Sequence, residues 1–268
     1  MTLKILTLNW NGLNNLKELS DSLLPSINKI GNVEWYVRDN GSKDGSVEWI
    51  KDQKHIELFN VGHNRDNFSQ GVNSLYRLSN PKSEDLVFLL NNDVVFKDSV
   101  SIEKMINLHK QTKAEIVGSR LLFKNTNKLQ HAGVIFSNRY NSLPYHFRPG
   151  EESDKHSEKN RWFQVVTAAC MLTTPSAFER VGGLDSNYSW AFDDVAYCLK
   201  VTQTSKIHKK VAYCGETDIY HEESASLKKN PVNKLYMNKN VGQFRKDWTG
   251  KYEIDHDKYL TNNNYNLI

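Results

Sequence analysis

The sequence implies an α/β protein, a mainly parallel, Rossmann-like mixed sheet flanked by helices, on three observations. Short apolar runs bounded by turn residues alternate with segments of helical period through the first half of the 268-residue chain. Those runs are apolar at nearly every position, as strands covered on both faces require. Strand and helix alternate in order, which gives right-handed crossovers and hence parallel pairing.

Strands are expected over residues 3–8, 33–37, 56–59 and 86–90. Between the first two, Leu16, Leu19, Leu23, Leu24, Ile27 and Ile30 recur at helical spacing, and Pro25, which has no N–H, is expected to kink or interrupt that helix. Val47, Trp49 and Ile50 mark a short second helix, and Phe68, Val72, Leu75 and Tyr76 a third. In the second half, residues 116–123, 131–136 and 165–172 read as strands. Thr174 as N-cap, Pro175 at the first helical position and Gly182 past the end define a short helix. Residues 138–161 are polar, carry Pro144, Pro149 and Gly150, and read as a long mobile loop. Val232, Leu235, Tyr236 and Phe244 mark a last helix, and the Asn-rich residues 261–268 read as a frayed end.

Six Trp, twelve Tyr and eleven Phe need burial, so the chain is a folded globular one. Its 35 basic and 31 acidic residues leave a dispersed charge of +4, which argues against a nucleic-acid strand as partner. Cys170, Cys198 and Cys214 show no metal-finger spacing and read as buried free thiols. No apolar run reaches the roughly 20 residues of a membrane span, and residues 1–4 lack the layout of a signal peptide. A cytoplasmic chain without a membrane span is expected; peripheral membrane association and oligomeric state stay open.

In open α/β sheets ligands sit beyond the carboxyl ends of the strands. Asn9-Trp10-Asn11-Gly12, Arg38-Asp39-Asn40-Gly41-Ser42 and Asn91-Asn92-Asp93 follow the first, second and fourth strands, and three such segments converge on one edge. Taken singly, each is also an ordinary turn sequence. Neither GxGxxG nor GxxxxGK[ST] occurs, so phosphates would be met by a divalent metal instead. Asp93 is placed to ligate it, and His221, after a strand end, is a second candidate or an exposed loop histidine. Asp193-Asp194 stands at a helix start between aromatic residues. The pair is either a dipole-favoured helix terminus or a desolvated pair prepared for base work.

These residues, in this order, resemble the inverting glycosyltransferase family 2 with its GT-A fold, over roughly residues 3–227. The likeness is closest to a rhamnosyl, galactofuranosyl and glucosyltransferase-like subgroup with an L-N-x-D metal motif. Val37-Arg38-Asp39-Asn40-Gly41-Ser42-Lys43-Asp44-Gly45-Ser46 is similar to the family signature V-D-N-x-S-x-D-G-[ST]. Leu90-Asn91-Asn92-Asp93 stands in the place of D-x-D with only the last carboxylate kept. Gly182-Gly183-Leu184-Asp185 through Asp193-Asp194-Val195 resembles the acceptor-side motif, and His221 with Ser226 its closing element.

The resemblance implies transfer of a sugar from a nucleotide diphosphate, UDP-linked first and dTDP-linked next, to a hydroxyl of a glycan or other acceptor. Asp194 would be the general base with Asp193 beside it, and Asp93 and His221 would hold Mn²⁺ or Mg²⁺. Leu8, Asn9, Trp10, Asp39, Asn40, Asn67, Gln70 and Asn92 would line the donor, with Asp39 on the base and Trp190 stacking on a sugar. The implied organisation is a GT-A unit over residues 1–227, with a nucleotide-sugar half (1–95) and an acceptor half (96–227), and a helical tail over 228–268. Tyr140, Tyr145, His146, Phe147 and Trp162 would form a carbohydrate platform, or pack on the domain. Two other classes stand beside this one. A sugar-nucleotide nucleotidyltransferase would need a Gly-rich basic loop, whereas residues 9–13 hold one Gly and no Lys or Arg. A catalytically silent nucleotide-sugar-binding module is compatible with Asn91 in the first metal position.

Overall fold

The computed structural model describes residues 1–189, 191–205, 209–222 and 232–268, with side chains from residue 237 onward in the last stretch. Strands β1 (Leu3–Asn9), β2 (Val33–Asp39), β3 (Ile56–Asn60) and β4 (Leu86–Leu90) alternate with helices α1 (Leu13–Ile30), α2 (Ser46–Lys51) and α3 (Phe68–Ser79). They pair in parallel in the order β4-β1-β2-β3. After β5 (Val94–Phe96) and α4 (Ser101–Thr112) come β6 (Ile116–Phe123), β7 (Leu129–His131), β8 (Val134–Phe136), β9 (Pro144–His146), β10 (Arg161–Phe163) and β11 (Cys170–Thr173). Helices α5 (Pro175–Val181) and α6 (Asp193–Thr204), strand β12 (Val211–His221), and helices α7 (Val232–Trp248) and α8 (His256–Thr261) complete the chain.

The second half joins the first through β11, which lies antiparallel between β4 and β6. The full order is β10-β12-β6-β11-β4-β1-β2-β3, with β5 on β12 and β7 on β6. The sheet is therefore mixed, its parallel character residing in the first four strands and in the β6–β12 pair.

Strand β4 shows how the core forms around it. Successive side chains point to opposite faces. Leu86, Phe88 and Leu90 pack with Leu16 and Leu19 of α1 and Met105 of α4. Val87 and Leu89 pack with Val72 and Leu75 of α3 and Phe178 of α5. Burying each such side chain stabilises the fold by about 1.5–3 kcal/mol. All three cysteines are buried and free.

Several expectations are corrected. Helix α1 runs through Pro25 without interruption. Pro25 is exposed, so the Asp21 carbonyl that it cannot bond lies on the water side of the helix. The strand expected over 131–136 is broken by Gly133 at φ +100, where a Cβ would stand 2.4 Å from the Phe163 ring. Of residues 165–172, only those from Cys170 are strand, because the Thr167 and Ala168 N–H groups donate to side chains instead of a ladder. Residues 138–161 are held by short elements and ion pairs. Arg148 bonds Glu151 at 2.7 Å and Asp154 at 2.9 Å, and Tyr213 donates to the Ser157 carbonyl at 2.7 Å. Nor does the C-terminal stretch fray. Arg161 donates to the carbonyls of Asn263 and Tyr265, each at 2.7 Å, and Phe244, Trp248 and Tyr259 join the main core. Among the described residues, no helix is long and apolar enough to cross a membrane.

Candidate active site

The carboxyl ends of β1, β2 and β4 are tied into one surface by side-chain amides. Asn9 Nδ2 donates to Asp39 Oδ2 at 2.8 Å, and Asn9 Oδ1 accepts from Asn92 Nδ2 at 2.9 Å. Asn40 N donates to the Asn9 carbonyl at 2.9 Å. Gly12 sits against this knot, where a Cβ would lie 2.5 Å from Asn92 Nδ2. Asn11, at φ +49, accepts from Lys43 N at 2.8 Å and donates its own N–H to Ser42 Oγ at 2.8 Å. Asp44 Oδ2 accepts from Leu13 N at 2.9 Å, fastening the start of α1 to the loop after β2.

Individual expectations fare differently at this edge. Trp10 is half exposed and stands free to stack on a ring. Leu8 packs under α3, where Gly71 leaves no room for a Cβ. Asp39 is fully buried and accepts from Asn9, from Ser42 N at 2.8 Å and from Ser42 Oγ at 2.7 Å. Three donors converge on Asp39, so it also holds the loop after β2 in place. Asn40 Oδ1 is buried with no hydrogen-bond partner.

Asn67 and Gln70 form a reciprocal capping box at the start of α3. Asn67 Oδ1 accepts from Gln70 N, and Gln70 Oε1 from Asn67 N, both at 2.9 Å. Asn67 Nδ2 donates to the Ser186 carbonyl at 2.7 Å. The Asn67 side chain is thereby fixed at both ends, while Gln70 is exposed. Asn73 extends the same docking, accepting from Leu184 N at 2.9 Å and donating to Leu184 O at 2.7 Å.

Asp93, after β4, and His221, at the end of β12, meet as their strands imply. Asp93 Oδ1 lies 3.2 Å from His221 Nε2, yet it is buried and not aligned for a hydrogen bond. Asn91 Nδ2 stands 3.5 Å from the same nitrogen. Behind the ring, His221 Nδ1 is 3.4 Å from Gln130 Oε1. One hard oxygen and one imidazole facing each other in a buried notch fit a divalent cation with other coordination sites left open. Among the described residues no group of three His, Cys, Asp or Glu is placed to hold a metal alone. Ser226 and Trp190 lie outside the described residues.

Asp193 and Asp194 open α6, preceded by Phe192 at φ +70, a left-handed conformation uncommon for an aromatic residue. Phe192 is held there by stacking on Phe244 of α7, with centroids 5.1 Å apart. Asp194 Oδ1 accepts from Val195 N at 2.8 Å and Oδ2 from Ala168 N at 3.2 Å. Burial first, and the neighbouring Asp194 second, push the Asp193 carboxyl well above the usual carboxylate range. The preceding residue, Thr167, donates its N–H to His131 Nε2 at 3.3 Å, while His131 Nδ1 bonds the Ser119 carbonyl at 2.9 Å. Burial, and then His146, keep that imidazole neutral. Ala169 O accepts from Asn91 N at 2.9 Å. One segment, 167–169, thus connects the carboxylate pair to the Asp93 loop.

Gln130, His131 and this segment escaped the sequence reading. Their signal is two adjacent polar residues inside the apolar run from Leu129 to Phe136. The expected carbohydrate platform is largely packing. Phe147 is buried against Tyr259 at 5.7 Å, and Tyr145 lies on Tyr140 at 4.2 Å, leaving Tyr140 as its exposed member.

The family profile of Glycosyl transferase family 2 matches residues 5–182. The uncharacterized protein y4gI of Sinorhizobium fredii is 27% identical over 247 residues, 88% of this chain and 26% of that protein. The O-antigen chain rhamnosyltransferase RfbN of Salmonella typhimurium is 25% identical over 189 residues, 70% of this chain and 56% of that protein. The chain thus spans between about a quarter and just over half of these relatives. Among solved structures, the mannosyltransferase PcManGT from Pyrobaculum calidifontis, in complex with GDP-Man and Mn²⁺, superposes with a TM-score of 0.63 at 12% identity. That match covers 91% of this chain and 64% of that one. The fold is the expected GT-A fold, and with the family profile covering most of its length, this chain belongs to glycosyl transferase family 2.

Proposed function

We propose that the chain is an inverting glycosyltransferase that moves a sugar from a nucleotide diphosphate to an acceptor hydroxyl. The observation that carries this reading is the buried notch at the sheet edge, where Asp93 Oδ1 faces His221 Nε2 at 3.2 Å without a hydrogen-bond partner. Asp93 and His221 would hold Mn²⁺ or Mg²⁺, which, when bound, supplies Lewis-acid stabilisation of the departing diphosphate. The imidazole favours Mn²⁺.

The chain's own residues do the rest. Trp10, exposed beside the Asn9–Asp39–Ser42 knot, stacks on the nucleoside, while Asn9, Asn92 and Asp39 keep that edge in one shape before the donor arrives. Asn40 Oδ1, an acceptor without a donor, suits the imide N–H of uracil or thymine, so UDP-sugars lead and dTDP-sugars follow. Asp194 takes the acceptor proton as that oxygen attacks the anomeric carbon on the face opposite the diphosphate. Ala168 N–H and Val195 N–H aim its two oxygens. Asp193, whose carboxyl is raised by burial and by the neighbouring Asp194, stays beside it. The acceptor is a hydroxyl of a glycan or other molecule, met by residues 96–227. The RfbN name makes rhamnose a sugar to include in the donor panel.

The test is calorimetric titration of UDP with and without Mn²⁺, followed by release of the free nucleotide from a panel of UDP- and dTDP-sugars. Metal-enhanced UDP binding together with turnover of one donor supports the reading. Binding without turnover of any donor favours a silent module.

A further inference from the structure

We propose that Gln130 is a positioning residue for the cation site: its side-chain oxygen holds His221 in the tautomer that points a bare Nε2 at Asp93. The inference rests on the metal assignment made above and adds to it a residue outside the motifs that carried the family likeness.

Gln130 Oε1 lies 3.4 Å from His221 Nδ1. An amide oxygen only accepts, so Nδ1 carries the ring proton and Nε2 keeps its lone pair. That nitrogen faces Asp93 Oδ1 at 3.2 Å, with the Asn91 amide nitrogen 3.5 Å away on another side, and the Asp93 oxygen is itself buried and without a donor. Two acceptors at that distance repel unless a cation lies between them, so the orientation set from behind the ring primes the notch for a metal. Ligating histidines generally donate their second N–H to such a partner, which fixes ring orientation and raises basicity.

Gln130 is well placed for the task. It is 2% exposed and sits in the middle of β7, which pairs with β6 on either side of it, Leu121 with His131 and Leu122 with Leu129. Its backbone carbonyl takes the His146 Nδ1 proton at 2.7 Å, which locks the strand against β9. The next residue, His131, faces the other way and bonds the 167–169 segment. The reverse amide orientation would turn Oε1 toward the His146 Nδ1 proton, which faces Gln130 Nε2 at 3.4 Å, and would make Gln130 a donor to His221 Nδ1 with a proton on Nε2, where it blocks ligation. Substitution separates the two.

The experiment measures Mn²⁺ binding by calorimetry in the presence of UDP for wild type, Gln130→Glu and Gln130→Met, with UDP affinity in EDTA and a thermal melt recorded for each. Loss of the acceptor in Gln130→Met is expected to weaken Mn²⁺ by about 10- to 100-fold, with the melt and the metal-free UDP affinity unchanged. Gln130→Glu, which only accepts, is expected to bind Mn²⁺ at least as tightly as wild type. If the Met variant fails to fold, Gln130→Asn, with its amide one carbon short of the ring, takes its place. Wild-type affinity in the Met or Asn variant overturns the proposal, as does an equal loss in the Glu variant. A wild type that binds UDP with no response to Mn²⁺ overturns the metal assignment and this proposal with it.

Discussion

Replacing Gly12 with Ala tests whether the three loops form one preassembled surface. Gly12 has φ −121, which any residue adopts, so the native-state cost comes from contacts rather than backbone strain. The new Cβ would stand 2.5 Å from Asn92 Nδ2 and 2.8 Å from Asn9 Oδ1, the two atoms joined by a 2.9 Å hydrogen bond. Losing that bond costs about 1 kcal/mol, and overpacking a tight site adds about 1–3 kcal/mol. The smaller unfolded-state entropy of Ala returns about 0.4–1 kcal/mol. A net loss of roughly 1–3 kcal/mol lowers the melting temperature by about 2–12 °C in a domain of this size. UDP affinity should fall as well, because Asn9 is also the partner of Asp39. Adding Asn92→Ala removes one side of the clash, so the double variant should lose less than the two singles together, by about 1 kcal/mol. A single variant that melts within 1 °C of wild type and binds UDP unchanged would refute the preassembled edge.

Two further outcomes follow from the same geometry. Asp194→Asn should lose about 10²-fold or more in turnover with UDP binding retained; a variant with full turnover would remove Asp194 from the base role. Asp255, which directly precedes α8 and accepts from Phe136 N at 2.9 Å and Gln164 Nε2 at 2.7 Å, has its carboxyl pushed up from 3.8 to about 6 by burial. The folded state therefore holds this proton more tightly than the unfolded one, so its stabilisation is full below pH 3.8 and lost as the pH rises through about 6. Measured by urea unfolding, Asp255→Asn should gain on wild type by up to about 3 kcal/mol between pH 4 and pH 7. Parallel stability profiles would exclude this assignment. Asp154, whose carboxyl is held low by Arg148, acts with the opposite sign in both proteins and cancels from the difference.

The fold was legible where the chain repeats one physical rule. β4 and β6 begin and end where their apolar runs do, and the helix from Pro175 to Val181 carries its cap, its Pro and its closing Gly in order. Legibility failed where tertiary contacts override local pattern. Val165 and Val166 are as apolar as any strand, yet Thr167 and Ala168 turn their N–H groups to His131 and Asp194, a choice invisible in residue type. At the site, Asp93, His221 and Asp194 stood out in the sequence because each closes an apolar run or opens a helix, and the strand order brings Asp93 and His221 within 3.2 Å of each other. Asp39, Asn67 and Gln70 were harder, since the groups that suit a nucleotide also suit a turn or a cap. Gln130 was out of reach, because its neighbour His221 is 91 residues away in sequence.

The C-terminal stretch lying along β10 has a consequence for behaviour at high concentration. β10 ends the sheet, and a bare edge strand offers its N–H and C=O groups to any other chain. Here Trp162 N donates to Asn266 O at 2.8 Å, and Ile268 N donates to Asn160 O at 3.1 Å, so those positions are already taken. At the opposite edge β3 is five residues long and presents the charged Glu57 to water. Removing residues 262–268 would uncover β10, and the expected result is concentration-dependent self-association, visible by light scattering, before any loss of the site at the carboxyl ends of the strands.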